Sequence, residues 1–275
     1  MKSFISGLAV SVLLGSAALA EEGGISRIRV TETVHVLDGS GGYGANVGVL
    51  EYEGGVALID TMLPAHATSL KAAVRQITDK PVTYIFNTHD HSDHMGSNDV
   101  FTADGATAIQ VEGTSENDEV ADFSATYGSA EVRIYAVVSH TKADRLVFLP
   151  GPNVLFMGDT FTTDWHPTFY AGGAEGQLAT IAAALEIADD DTVIVPGHGP
   201  LSDRQGLMVY QKAFKDWIDR MAALDAGSKS TDQLRADAGL RSIAARFMQG
   251  QRPAELPEQA YRRFIERTVT VEFSK

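Results

Sequence analysis

Four times along this chain an apolar, β-branched run ends and a histidine or aspartate follows almost at once. Residues 82–87 lead into His89, 132–138 into His140, 154–157 into Asp159 and 192–195 into His198. In layered α/β proteins, ligands bind beyond the carboxyl ends of strands. A fold that gathers these four ends therefore assembles one polar site. The first end is the richest, because His89-Asp90-His91-Ser92-Asp93-His94 places three histidines and two aspartates in one hexapeptide. His89 and His91 are two apart, so extended backbone points them the same way, and Asp93 and His94 lie beyond them, able to turn toward a second position. Imidazole is the usual borderline ligand for zinc, and carboxylate completes its shell. Burying so many unpaired polar groups for structure alone is costly, which favours a metal role.

The chain has 275 residues and no cysteine. Disulfides, thiolate metal sites and a cysteine nucleophile are thereby excluded, and any transition metal must be held by His, Asp or Glu. The formal net charge is −14, with both signs interspersed. Such a surface repels phosphate backbones and anionic lipid, so neither nucleic acid nor a membrane surface is an expected partner. A small-molecule substrate is. At the amino terminus Met1-Lys2 precedes a mostly apolar stretch to Leu19, and Ala18-Leu19-Ala20 is a small-x-small cleavage pattern before Glu21-Glu22. That is the layout of a secretory signal peptide over residues 1–20. It predicts a periplasmic or secreted mature protein, a single domain over 21–275 with a helical tail from about 227.

Periodicity gives the other elements. Strands are expected over 28–37, 45–52, 56–60, 82–87, 106–111, 132–138, 146–149, 154–157 and 192–195, the 146–149 and 154–157 pair joined by Pro150-Gly151-Pro152. Helices are expected over 64–78, 98–101, 177–188 and 207–224, the last with Trp217 on its apolar face. Residues 112–126 read as a polar surface helix or loop, and the four glycines of 39–44 as a turn or mobile loop.

The His-x-His-x-Asp-His motif at 89–94 after a short strand resembles the signature of the metallo-β-lactamase-fold superfamily. Ser139-His140-Thr141, Leu155-Phe156-Met157-Gly158-Asp159-Thr160 and Pro196-Gly197-His198-Gly199-Pro200 resemble its later segments, in order and type. The resemblance covers roughly 28–225. It implies an α/β fold of the αββα four-layer type, two mixed sheets between outer helices. It also implies two zinc ions, one held by His89, His91 and His140, the other by Asp93, His94 and His198, with Asp159 bridging. The expected chemistry is hydrolysis by a water activated between the ions, with Asp93 orienting it and passing on its proton.

Substrate class is less sharply marked. Thr160 to Asp164 offers no lysine or arginine of the kind that often binds a lactam carboxylate after the bridging position. Asp159 itself resembles the thioesterase, lactonase and phosphodiesterase branches. Small amides, lactones and (thio)esters are the expected substrates, β-lactams among them. The alternative on the same fold is a sulfur dioxygenase with one Fe2+ on His89, His140 and Asp159. A binding protein without activity is disfavoured by the complete ligand set. Tyr43, Trp165, His166 and Tyr170 are expected to line the substrate pocket.

Overall fold

Alternation along the strands decides what each sheet face buries. In the computed structural model, which describes residues 24–109, 123–128, 130–249 and 255–274, the first sheet runs β1 (Arg27–Arg29), β2 (Val34–Leu37), β3 (Val47–Tyr52), β4 (Gly55–Ile59), β5 (Val82–Phe86) and β6 (Thr107–Ala108), in that order. The first four strands are antiparallel neighbours, and β5 and β6 add parallel to β4. The second sheet holds β7 (Phe123–Tyr127), β8 (Ala130–Val137), β9 (Asp144–Leu149), β10 (Val154–Gly158) and β11 (Val193–Pro196), with only the β10–β11 pair parallel.

Along β4, Ala57 and Ile59 face the second sheet, while Val56 and Leu58 face outward. Along β10, Val154 and Phe156 face the first sheet, and Leu155 and Met157 face away. The outward face of the first sheet is covered by α1 (Ala67–Arg75) and α3 (Asn98–Ala103), through Leu70, Val74 and Phe101. Between these helices lies the single turn α2 (Ser92–Met95). The outward face of the second sheet is covered by α4 (Gly173–Ile187) and α5 (Arg204–Ala223). Helix, sheet, sheet, helix is the αββα arrangement expected.

Helix α5 carries the tail. Leu207, Tyr210, Phe214, Trp217 and Met221 recur at three- and four-residue spacing and are all fully buried. Asp203 caps its start by accepting from the Gly206 amide at 2.7 Å. Against this face pack α6 (Thr231–Arg235), α7 (Ala238–Ala244) and α8 (Glu258–Thr268). The tail is therefore helical and shares one core with the second sheet.

Three expectations change. The run 28–37 is a hairpin, not one strand. Thr31 Oγ1 accepts from the amides of Thr33 and Val34, and the Val30 amide bonds the Val34 carbonyl at 2.9 Å. Polar Thr31-Glu32-Thr33 thus satisfies itself locally and turns the chain. Within 112–126, residues 123–126 belong to β7, whose Tyr127 packs on Tyr84 at 4.3 Å. Of the strand expected over 106–111, the described part, 106–109, is strand only at Thr107–Ala108. The signal peptide expected over 1–20 and residues 110–122 lie outside the described residues.

The 1% exposed His166 is stacked on Phe264 of α8 at 4.8 Å, its Nδ1 donating to the Pro167 carbonyl at 2.9 Å. Burial lowers its pKa from 6.5 to about 4, against the Pro167 hydrogen bond, with Arg263 adding to the depression. The unfolded chain therefore binds a proton between pH 6.5 and 4 that the folded chain does not. Stability is full above 6.5 and falls as pH drops toward 4, by about 3 kcal/mol from this group. In the metal-free protein, urea midpoints measured from pH 7 to 4 are expected to fall less steeply for His166→Phe than for wild type. Parallel profiles would contradict the assignment.

Candidate metal centre

All four strand ends meet at one edge of the sandwich. From the carboxyl end of β5 come His89, His91, Asp93 and His94; β8 delivers His140, β10 delivers Asp159 and β11 delivers His198. Their ligand atoms fall into three overlapping groups, each within 4.8 Å: His89, His91 and His140; His89, His94 and Asp159; Asp93, His94 and His198. Asp159 stands between the two triads. Its Oδ2 lies 3.6 Å from His140 Nε2, and its Oδ1 lies 3.3 Å from His94 Nε2 and 3.4 Å from His198 Nε2. Asp93 Oδ2 is 3.2 Å from His198 Nε2.

The backbone is shaped to allow this. The His91 carbonyl accepts from the amides of His94 and Met95, which makes the α2 turn and swings Asp93 and His94 away from His91. Gly158 has φ +52, and a Cβ there would sit 2.5 Å from Thr88 Oγ1. A Cβ on Gly197 would lie 2.2 Å from Asp159 Oδ1. Only glycine fits either position.

Two of the histidines are held by the nitrogen facing away from the site. His140 Nδ1 donates to the Thr168 carbonyl at 2.7 Å, which leaves Nε2 facing the site. His94 Nδ1 donates to Asp60 Oδ2 at 2.8 Å, and Asp60 also accepts from the Thr88 amide and hydroxyl at 2.8 and 2.7 Å. His89 Nε2, His94 Nε2 and Asp159 Oδ1 are buried with no hydrogen-bond partner. Buried polar atoms are normally paired. Three orphaned ligand atoms converging from two strand ends fit a metal, and the all-N/O set suits zinc.

Without a metal, protons supply the compensating positive charge. Burial opposes a charge on His94, but Asp60 and Asp159 outweigh it and hold its pKa well above the ordinary value. His198 is raised too, burial being overcome by Asp159 and Asp93. The hydrogen bond from His198 pulls Asp93 down to about 2, against burial. Burial would raise Asp159, yet His198 and His94 keep it well below the usual carboxylate range. His89, buried and surrounded by other imidazoles, is depressed to about 2. Metal binding must displace the protons on His94 and His198, so affinity should weaken as pH falls.

Of the expected pocket residues, Tyr170 lies beside the site, its ring 6.2 Å from that of His140. Tyr43 sits on the 39–44 loop, edge-on to His66 at 4.9 Å, next to the Ala45 amide that bonds the Asp93 carbonyl at 3.0 Å. His166 is a correction: 1% exposed and stacked on Phe264, it leaves no ring surface for a substrate. Trp165 is half-buried, its ring 5.2 Å from that of His166 and packed against the core of the second sheet and its helices.

Two supporting residues escaped the sequence reading. Asp60 ends β4, so the same strand-end pattern extended to 56–60 would have found it. Asn46 had no signal. Its side chain donates to the carbonyls of Pro196 and Gly199 at 3.0 and 2.9 Å, tying the His198 loop to the first sheet. Asp60→Asn keeps a residue type that tolerates φ +64 but loses the carboxylate that fixes the His94 tautomer. Zinc affinity is expected to fall roughly 10–100-fold, read by chelator competition; an unchanged dissociation constant would contradict the role.

A family model described as the metallo-beta-lactamase superfamily matches residues 40–116. Metallo-beta-lactamase domain-containing protein 1 of Xenopus laevis is 30% identical over 194 residues, covering 61% of this chain and 80% of that protein. A hydroxyacylglutathione hydrolase of Nitrosococcus oceani is 27% identical over 135 residues, covering 46% and 51%. Among solved structures, a metallo-beta-lactamase from Pontibacter korlensis aligns with a TM-score of 0.56 at 20% identity, over 70% of this chain and 99% of that one. An inverting sec-alkylsulfatase from Pseudomonas aligns at 0.60 and 16% identity, over 88% and 47%. The chain thus spans about half the length of that hydrolase and of that sulfatase. With four-fifths of the Xenopus protein covered at 30% identity, this chain belongs to the metallo-β-lactamase superfamily of metal-dependent hydrolases.

Proposed function

We propose that this chain is an exported dinuclear zinc hydrolase of small thioesters, esters, lactones or amides. The observation that carries it is Asp159, one carboxylate oxygen turned toward each of the two triads. His89, His91 and His140 would hold one ion, Asp93, His94 and His198 the other, and Asp159 both. Zinc there supplies Lewis acidity and a water acidic enough to act near neutral pH.

The chain's own groups prepare the rest. Thr168 and Asp60 fix the tautomers of His140 and His94, so their Nε2 lone pairs point into the site. Asp93 has a side chain 32% exposed against 13% for Asp159. Of the two carboxylates it is the one nearer solvent, and so the one placed to orient the water and pass its proton outward. The hydroxyacylglutathione hydrolases among the relatives put an acylated thiol first among test substrates. Export rests on the layout of residues 1–20. Among the described residues no helix is long and apolar enough to cross a membrane.

Turnover of a thioester, a lactone and a β-lactam by the purified protein tests this reading. Hydrolysis of at least one, abolished by chelator and restored by zinc, is expected. Oxygen uptake with a persulfide and no hydrolysis would instead favour the iron dioxygenase. Amino-terminal sequencing of the protein from a periplasmic fraction tests export: a mature chain starting at Glu21 is expected, and an intact Met1 in the cytoplasm contradicts it.

A further inference from the structure

No lysine or arginine stands within 160–164, just after Asp159, yet the fold brings two arginines to the site's edge. Arg267 of α8 holds its guanidinium over the Tyr170 ring, 5.2 Å from the centroid, and that ring is the one beside His140. Arg263 lies one helical turn earlier, on the same face of α8, and both guanidinium charges act on the Tyr170 hydroxyl. The tail's other described arginines, Arg235, Arg241, Arg246 and Arg262, each pair with a carboxylate. Among the described residues Arg263 and Arg267 pair with none, and both are exposed.

In a chain of net charge −14, long-range electrostatics repel an anionic substrate, so capturing one needs a local positive patch. A neutral substrate needs no such patch. We propose that Arg263 and Arg267 form a substrate-specificity site that binds an anionic group, a carboxylate, at the Tyr170 edge of the metal centre. Arg267 is oriented for this by its cation–π contact, and guanidinium matches carboxylate by paired N–H donors. The substrates would then be carboxylate-bearing thioesters or esters, which deepens the hydrolase reading and rests on it.

The test uses the zinc-loaded full chain and matched thioesters carrying either a carboxylate or its carboxamide, with that group placed once on the acyl half and once on the thiol half. In at least one placement wild type should favour the carboxylate. In the Arg263→Gln/Arg267→Gln double variant, KM for that carboxylate should rise about tenfold, while kcat and the carboxamide KM stay near wild type. Arg267→Lys should restore part of the preference when Arg263 is kept. Equal losses on both substrates, or no preference in wild type, would overturn the proposal. A second readout separates it from the hydrolase reading. Calorimetric binding of S-methyl mercaptohexanoate to the metal-free protein should be present in wild type and lost in the double variant, even if no thioester is hydrolysed. Binding that persists unchanged in the variant would overturn it.

Discussion

Asp159→Asn is expected to lower hydrolysis at least about a thousandfold and to leave the protein with less than its full zinc complement. Asparagine keeps the shape, so the fold should survive; what disappears is the one negative charge common to both triads. His94 and His198 each lie within 3.4 Å of its Oδ1, and His140 faces its Oδ2. A neutral amide can offer one oxygen to one ion but not an anionic oxygen to each. Zinc content and turnover should therefore fall together. Retained turnover with full zinc would mean that Asp159 does not join the two halves of the site.

Trp217→Ala is expected to cost about 3–5 kcal/mol of stability. The indole is fully buried, stacks on Phe264 at 4.1 Å and donates from Nε1 to Thr268 Oγ1 at 3.0 Å. It is thus the pin between α5 and α8. Its loss opens a large cavity under the helix that carries Arg263 and Arg267. Denaturant unfolding reads the cost directly; a loss below about 1 kcal/mol would mean that the tail is not part of the domain core. The two substitutions separate the roles of the site and the tail: the first removes chemistry and spares the fold, the second loosens the tail and spares the ligands.

The ligand-bearing strand ends could be read in the sequence because two signals coincide there. Strands of a sandwich buried on both faces are nearly continuous apolar runs, as β10 is with Leu155, Phe156 and Met157. Ligands follow immediately, where the backbone leaves the sheet. Support residues are harder to read. Asp60 looks like a strand terminator, and Asn46 acts through backbone carbonyls 150 residues away. The bend at Thr31 was missed because threonine suits a strand as well as a turn, and only the hydrogen bonds to its hydroxyl decide. His166 follows Asp159 closely enough to suggest a pocket, but Phe264 of the tail, whose packing no local pattern announces, covers it. Arg263 and Arg267 resemble any solvated helix face until Tyr170 is found beneath Arg267.

Metal analysis of the mature protein by mass spectrometry bears most directly on the central claim, that seven residues from four strand ends form one dinuclear zinc centre. About two zinc ions per chain are expected, bound more weakly as pH falls because His94 and His198 must lose protons. About one iron per chain, with no zinc, would contradict it.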